Sequence, residues 1–336
     1  MSEPKPAGAA VPLPAPTRSL PLGRPRITRR GLQIALGSIW LLDGLLQFQS
    51  YMYTNAFITQ IIEPTAHGQP GFIAGPITTL AHFYSHDLTL WNTLAAEIQC
   101  VIGLGLIVSL RTVRPALALS FAWTLIVWWF GEGFATILSG TPVSPLMGAP
   151  GAVLLYGLIG LLVWPRAPDG GGSAADGGLL GRRGGRLVWS VLWLEAAVLW
   201  FLHVDRSRTA IHDQLAMMAS ASPHWLATIQ TPIANDAQGH GAAIATILAV
   251  ASIVIALGVW TPARGRLLAL GALLSLGYWV FGQSLGGPFW DGSATDLNSG
   301  PLFVLLALTL MPRPGAVMQT VVTLPARVRG ESAAAA

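Results

Sequence analysis

The sequence predicts an all-α integral membrane protein of about eight transmembrane helices, arranged as two tandem, parallel four-helix bundles. Composition, the length of the apolar runs and the placement of basic residues carry this reading. Of the 336 residues, 52% are hydrophobic and 10% charged, and the mean hydropathy is +0.57. About a quarter of the residues of a soluble domain are charged, so lipid is the expected solvent. The apolar runs lie at roughly 31–50, 93–111, 115–134, 148–165, 187–203, 241–260, 266–283 and 299–312. Their length is the one a bilayer core imposes at a rise of about 1.5 Å per residue.

Every Lys and Arg except Arg206 and Arg208 falls on one side of an eight-span arrangement. The positive-inside rule makes that side cytoplasmic, with both termini inside and the chain in the cell membrane. A pI near 9.7 therefore reflects topology and not a nucleic-acid surface, since no stripe of basic residues gathers outside these short loops.

In chain order, residues 1–30 are rich in Pro and Ala and read as a disordered cytoplasmic tail. No apolar run adjoins a small-residue cleavage site, so a cleaved signal peptide is not expected. The first helix is followed by a long outer segment, about 53–92, in which Phe57, Ile58, Ile61 and Ile62 have helical spacing. Short amphipathic helices, broken at Pro64, Gly68 and Pro70, are expected there, lying on the membrane or capping the bundle. Cys100, in the second helix, is the only cysteine, which excludes an intrachain disulfide and a thiolate metal cluster. The segment 131–151 is too rich in Gly and Pro for helix and too apolar to float in water, so it is expected to tuck back over the bundle. Residues 166–186 read as a Gly-rich, Arg-flanked cytoplasmic linker between a first repeat, 31–165, and a second, 187–312. The second repeat has its own long outer segment, 204–240, with Ile211, Leu215 and Met218 spaced as in a helix and breaks expected at Pro223 and Pro232. Residues 313–336 form a second cytoplasmic tail.

Three anchors suggest duplication. Trp128-Trp129-Phe130-Gly131 recurs as Trp279-Val280-Phe281-Gly282, 151 positions later. Trp164-Pro165-Arg166 matches Met311-Pro312-Arg313, and Asp43 precedes Glu195 by 152 positions. Each half contains an even number of spans, so the repeat is parallel and not inverted.

Two constellations are candidates for chemistry. The acids Asp43, Glu97, Glu132 and Glu195 fall within or at the ends of apolar runs, where an ionisable group is costly and marks a proton, ion or quinone site. Gln47 and Gln99 are expected within hydrogen-bond reach, with Trp128 and Trp129 beside them. The bland alternative is that the acids only tie helices together. The second constellation is histidine: all seven map to outer segments, and His82 and His86 are four apart with Asp87 next. That spacing puts two imidazoles on one helix face and suits Cu or Zn, although histidine is tolerated at any wet interface.

The run Gly31-Leu32-Gln33-Ile34-Ala35-Leu36-Gly37-Ser38-Ile39-Trp40-Leu41-Leu42-Asp43-Gly44-Leu45-Leu46-Gln47 resembles the opening helix of the DoxX/DoxD-like membrane family. The resemblance implies a compact four-helix bundle, here duplicated, and a relation to the small membrane subunit of thiosulfate:quinone oxidoreductase. Members often carry a basic residue near the end of that helix, where this chain has Gln47. The expected function is then a quinone-linked or partner-linked redox membrane subunit, with its site in the outer half of the bundle and an extracytoplasmic protein subunit as partner. The alternatives are an extracytoplasmic Cu or Zn handling protein using the outer histidines, and a scaffold without chemistry.

Overall fold

The computed structural model describes residues 27–313 apart from Pro142, Gly170, 203–205, Pro288 and Phe289. Most of both expected tails, and His203, lie outside the described residues. Within them all regular structure is helical: α1 (Arg29–Leu46), α2 (Asn55–Phe57), α3 (Gly71–Ser85), α4 (Leu88–Val108), α5 (Val113–Phe130), α6 (Ala152–Leu162), α7 (Gly181–Phe201), α8 (Ala210–Ala221), α9 (His224–Ala237), α10 (Gly241–Gly258), α11 (Arg264–Phe281) and α12 (Ser299–Leu310).

A helix overlaps each apolar run, but only α4, α5, α7 and α10 are long and apolar enough to cross a bilayer. Their outward faces are apolar, with Val101 58%, Val191 62% and Ile247 67% exposed, which suits contact with hydrocarbon and not with water. The other four fall short for identifiable reasons. Arg29 and Arg30 open α1, and Arg264 and Arg266 open α11. With 11 and 12 residues, α6 and α12 reach only about 17–18 Å at 1.5 Å per residue. These two short helices sit at the centre, where α6 packs on α12, α12 touches α1 and α6 touches α7. Around them α1 packs on α4, α4 on α5 and α5 on α6, and likewise α7 on α10, α10 on α11 and α11 on α12. One apolar core runs through both sets, from Leu36, Trp40 and Ile102 to Trp189, Trp193 and Leu306.

Glycine sets how closely α1 and α4 approach. A Cβ on Gly103 would lie 2.7 Å from the Gly37 carbonyl oxygen, and one on Gly37 2.7 Å from Leu106 Cβ, so neither position admits a side chain. On the other side, α5 and α11 end alike. After α5, Gly133, Phe134, Ala135 and Thr136 all take left-handed φ of 53–55°; after α11, Ser284, Leu285, Gly286 and Gly287 do the same at 45–77°. Trp128 Nε1 then donates to the Pro150 carbonyl (3.0 Å), and Trp279 Nε1 to the Leu297 carbonyl (2.7 Å). At the first turn of α6 the Val153 N–H donates to Glu132 Oε1 (3.0 Å), and at that of α12 the Gly300 N–H donates to Gln283 Oε1 (3.3 Å). These contacts satisfy N–H groups that a helix start leaves without partners.

The basic end differs from the linker expected at 166–186. Ser173 and Asp176 form a reciprocal capping box, Ala174 and Ala175 enter the core, and α7 already begins at Gly181. Arg29, 6% exposed, donates to the carbonyls of Ala167 (2.6 Å), Pro168 and Ala174, while Asp169 pairs with both Arg29 and Arg313. Glycine content suggests flexibility, but here the small residues let this segment pack under α1.

Residues 53–92 and 206–240 both fold largely into helices. In the first, Met52, Phe57, Ile58, Ile62, Ile73 and Ile77 form a separate small core. In the second, α8 packs on α9, and Pro232 lies inside α9 instead of ending it.

Candidate functional site

The site begins with Asp43, on the buried face of α1 shared by Leu36 and Trp40. It is 3% exposed. Tyr156 of α6 donates its hydroxyl hydrogen bond to Asp43 Oδ2, and Asp43 Oδ1 has no partner. Trp40 packs against Tyr156 at an interplanar angle of 47°, with ring centroids 4.3 Å apart, and is held by its own Nε1 donating to Ser120 Oγ (3.0 Å).

These residues form the polar wall of a cavity of about 360 Å³ between α1, α3, α4, α5 and α6. That volume lies within the range of small-molecule sites, about 300–1,000 Å³. Trp40, Phe57, Phe83, Tyr84, Trp91 and Trp123 contribute aromatic surface, while Gln47, Gln99, Glu132 and Asp296 join Asp43 as polar groups. Two lining residues, Phe83 of α3 and Ile126 of α5, are also 47% and 45% exposed, so the cavity reaches the apolar outer surface between those helices. Three lining residues keep a buried polar atom without a partner: the donor Trp123 Nε1 and the acceptors Asp43 Oδ1 and Glu132 Oε2. Buried polar groups in folded proteins are almost always hydrogen-bonded, and unpaired ones are costly. A bound ligand with both acceptor and donor atoms satisfies them.

Glu132 and Asp296 also line a second, more polar cavity of about 320 Å³, walled by Thr65, Thr136, Ser144 and Asn298. The two acids therefore stand between an apolar chamber and a polar vestibule. Burial, with the nearby charge of Asp296, pushes Glu132 up to about 8. Burial also raises Asp296, against hydrogen bonds from Asn298 and Thr295 that favour its charged form.

The structure thus gathers Asp43, Glu132, Gln47 and Gln99 at one cavity, and corrects several expectations. Glu97 is exposed on the outer face of α4 and does not line the cavity, because the α1-facing side of α4 is the one bearing Asn92, Ala96, Gln99 and Gly103. Trp128 is held by Pro150 and packs edge-on against Phe134, while Trp129 is 36% exposed and stacks on Phe130; neither lines the cavity. Glu195 lies in α7, away from the cavity, with both carboxylate oxygens buried and unpartnered. The expected metal set does not form either. His82 and His86 do lie side by side, with ring centroids 4.7 Å apart, but Asp87 turns away to accept the Leu90 N–H (3.0 Å) as the cap of α4. Among the described residues no group of three or more His, Cys, Asp or Glu is placed to hold a metal ion.

Sequence reasoning did not single out Tyr156, Trp123 or Asp296 as site residues. Tyr156 was legible as the one polar side chain within the apolar run of α6. Asp296 comes from the other end of the chain, and no local signal assigns it to this cavity. No family model, curated protein or solved structure matches the chain.

Proposed function

We propose that the protein is a multi-pass cell-membrane protein that binds a quinone in the chamber beside Asp43, as the membrane subunit of a redox system. The observation that carries this reading is the aromatic chamber opening toward lipid, with unpartnered Trp123 Nε1, Asp43 Oδ1 and Glu132 Oε2 at its polar wall. A quinone is flat, apolar and lipid-soluble. Its carbonyls accept from an indole N–H or a protonated carboxyl, and the hydroxyls of its reduced form donate to a carboxylate. Glu132 and Asp296, facing both chamber and vestibule, are the groups through which protons exchange with the outer side. The electrons pass to or from a partner protein docked over that outer end.

In the same reading the chain has eight spans, in two parallel repeats with both termini cytoplasmic. The matching helix contacts, left-handed turns and paired caps of α6 and α12 support this. The second repeat has Gln283 where the first has Glu132, and Phe303 where it has Tyr156. It therefore serves as a scaffold that lends Asp296 to the first. The DoxX/DoxD-like resemblance of α1 agrees with the bundle and with quinone chemistry. The test is to extract the purified protein with organic solvent and assay for quinone. Near-stoichiometric quinone, lost in an Asp43→Asn, Tyr156→Phe double variant that still folds, supports the proposal; absence of quinone, with no binding on addition of ubiquinone or menaquinone analogues, rejects it.

A further inference from the structure

Glu97 lines neither of the two cavities described above. Among the described residues of the four apolar spans it is the one acidic side chain on an exposed face. It makes no hydrogen bond or ion pair within the described chain. It sits nine residues from the start of α4 and eleven from its end, about 14 and 16 Å at 1.5 Å per residue. With α4 inserted in a bilayer, that is mid-membrane. The side chain is too short to reach either interface, and lipid tails offer it no hydrogen bond.

The residues around it form a single stripe. Leu90, Leu94, Val101, Leu104 and Val108 are 48%, 40%, 58%, 48% and 73% exposed, and with Glu97 they follow one another at alternating intervals of four and three. This is the seam spacing of a left-handed helix pair, with Glu97 at its centre. A soluble partner cannot reach this depth. A carboxylic acid side chain can both donate and accept, so it is complementary to another copy of itself. Two copies of this chain insert in the same orientation, and a two-fold axis along the membrane normal sets α4 parallel to its mate with Glu97 opposite Glu97. We propose that the protein is a homodimer joined through α4, with the two Glu97 carboxyls hydrogen-bonded to each other at the centre of the seam.

The test uses the full chain in bilayers. Cys100 is the only cysteine, so single cysteines can be placed at will in a Cys100→Ala background. Leu94→Cys and Val101→Cys are expected to form disulfide dimers on mild oxidation, whereas Leu119→Cys on α5 and Ile247→Cys on α10 are not. Single-molecule photobleaching should show two subunits per particle. Glu97→Ala should weaken association about tenfold, as for loss of an interhelical hydrogen bond, and Glu97→Gln, whose amide also pairs with itself, should weaken it less. One subunit per particle for the unmutated protein overturns the proposal. So does cross-linking through Leu119 or Ile247 in place of Leu94 and Val101, cross-linking to a different protein, or a Glu97→Ala dimer of undiminished affinity. The cysteine variants retain Glu97, so a folding defect in Glu97→Ala leaves the proposal testable.

Discussion

Replacing Tyr156 with phenylalanine removes one oxygen and leaves the packing against Trp40 in place, so it isolates the hydrogen bond at the heart of the site. Tyr156 is 1% exposed and Asp43 3%. Asp43 Oδ1 is already unpartnered, so the variant leaves the carboxyl with no hydrogen bond at all. An orphaned buried acceptor costs about 1–3 kcal/mol. Asp43→Asn should cost less, because the amide oxygen still accepts from the tyrosine. In a double-mutant cycle the two positions should couple by about 0.5–3 kcal/mol, as residues in direct contact do. Unfolding in mixed micelles with increasing denaturing detergent, followed by tryptophan fluorescence, measures all four corners. A Tyr156→Phe variant within 0.5 kcal/mol of the unmutated protein, or strictly additive single changes, refutes the pairing and the chemistry built on it.

Glu132→Gln should keep the cap of α6, because the amide oxygen still accepts from Val153, while abolishing a titration. A carboxyl raised from 4.5 to about 8 stabilises the fold fully below pH 4.5, and that contribution is lost as pH rises from there through 8. Stability measured across this window should therefore fall less steeply in the variant, and equal slopes would contradict the assignment. Gly103→Ala should destabilise by about 1–3 kcal/mol by forcing a methyl group against the Gly37 carbonyl, 2.7 Å away; unchanged thermal unfolding would show that α1 and α4 are not so close. Replacing His82 and His86 together should leave quinone binding intact and bound Zn and Cu unchanged by elemental analysis, since Asp87 caps α4; a stoichiometric metal lost in the variant would revive the metal reading.

Hydropathy and Pro/Gly punctuation located a helix at every apolar run, because a long apolar stretch has few alternatives to helix. They did not reveal that α6 and α12 stop at 11 and 12 residues, since the apolar loops beside them read as continuations. Which way each acid points was not legible. α4 is apolar on all sides, so nothing in its sequence separates the face of Gln99, toward α1, from the face of Glu97, outward. The packed turn at Ser173–Gly177 was hidden by glycine content, although Ser173 and Asp176 are spaced as a capping box. Asp43, Gln47, Gln99 and Glu132 were recoverable because polar groups at membrane depth are rare. Asp296 was not, because it reaches the cavity through tertiary packing alone.

Photolabelling can test directly the proposal that a quinone occupies the chamber beside Asp43. A photoreactive azido-quinone, added to the protein in bilayers and mapped by peptide mass spectrometry, tests it most directly. Adducts are expected on Trp40, Trp91 or Trp123, displaced by excess unlabelled quinone and strongly reduced in the Asp43→Asn, Tyr156→Phe variant. Labelling confined to the outward faces of α7 and α10, or labelling that excess quinone does not displace, would contradict it.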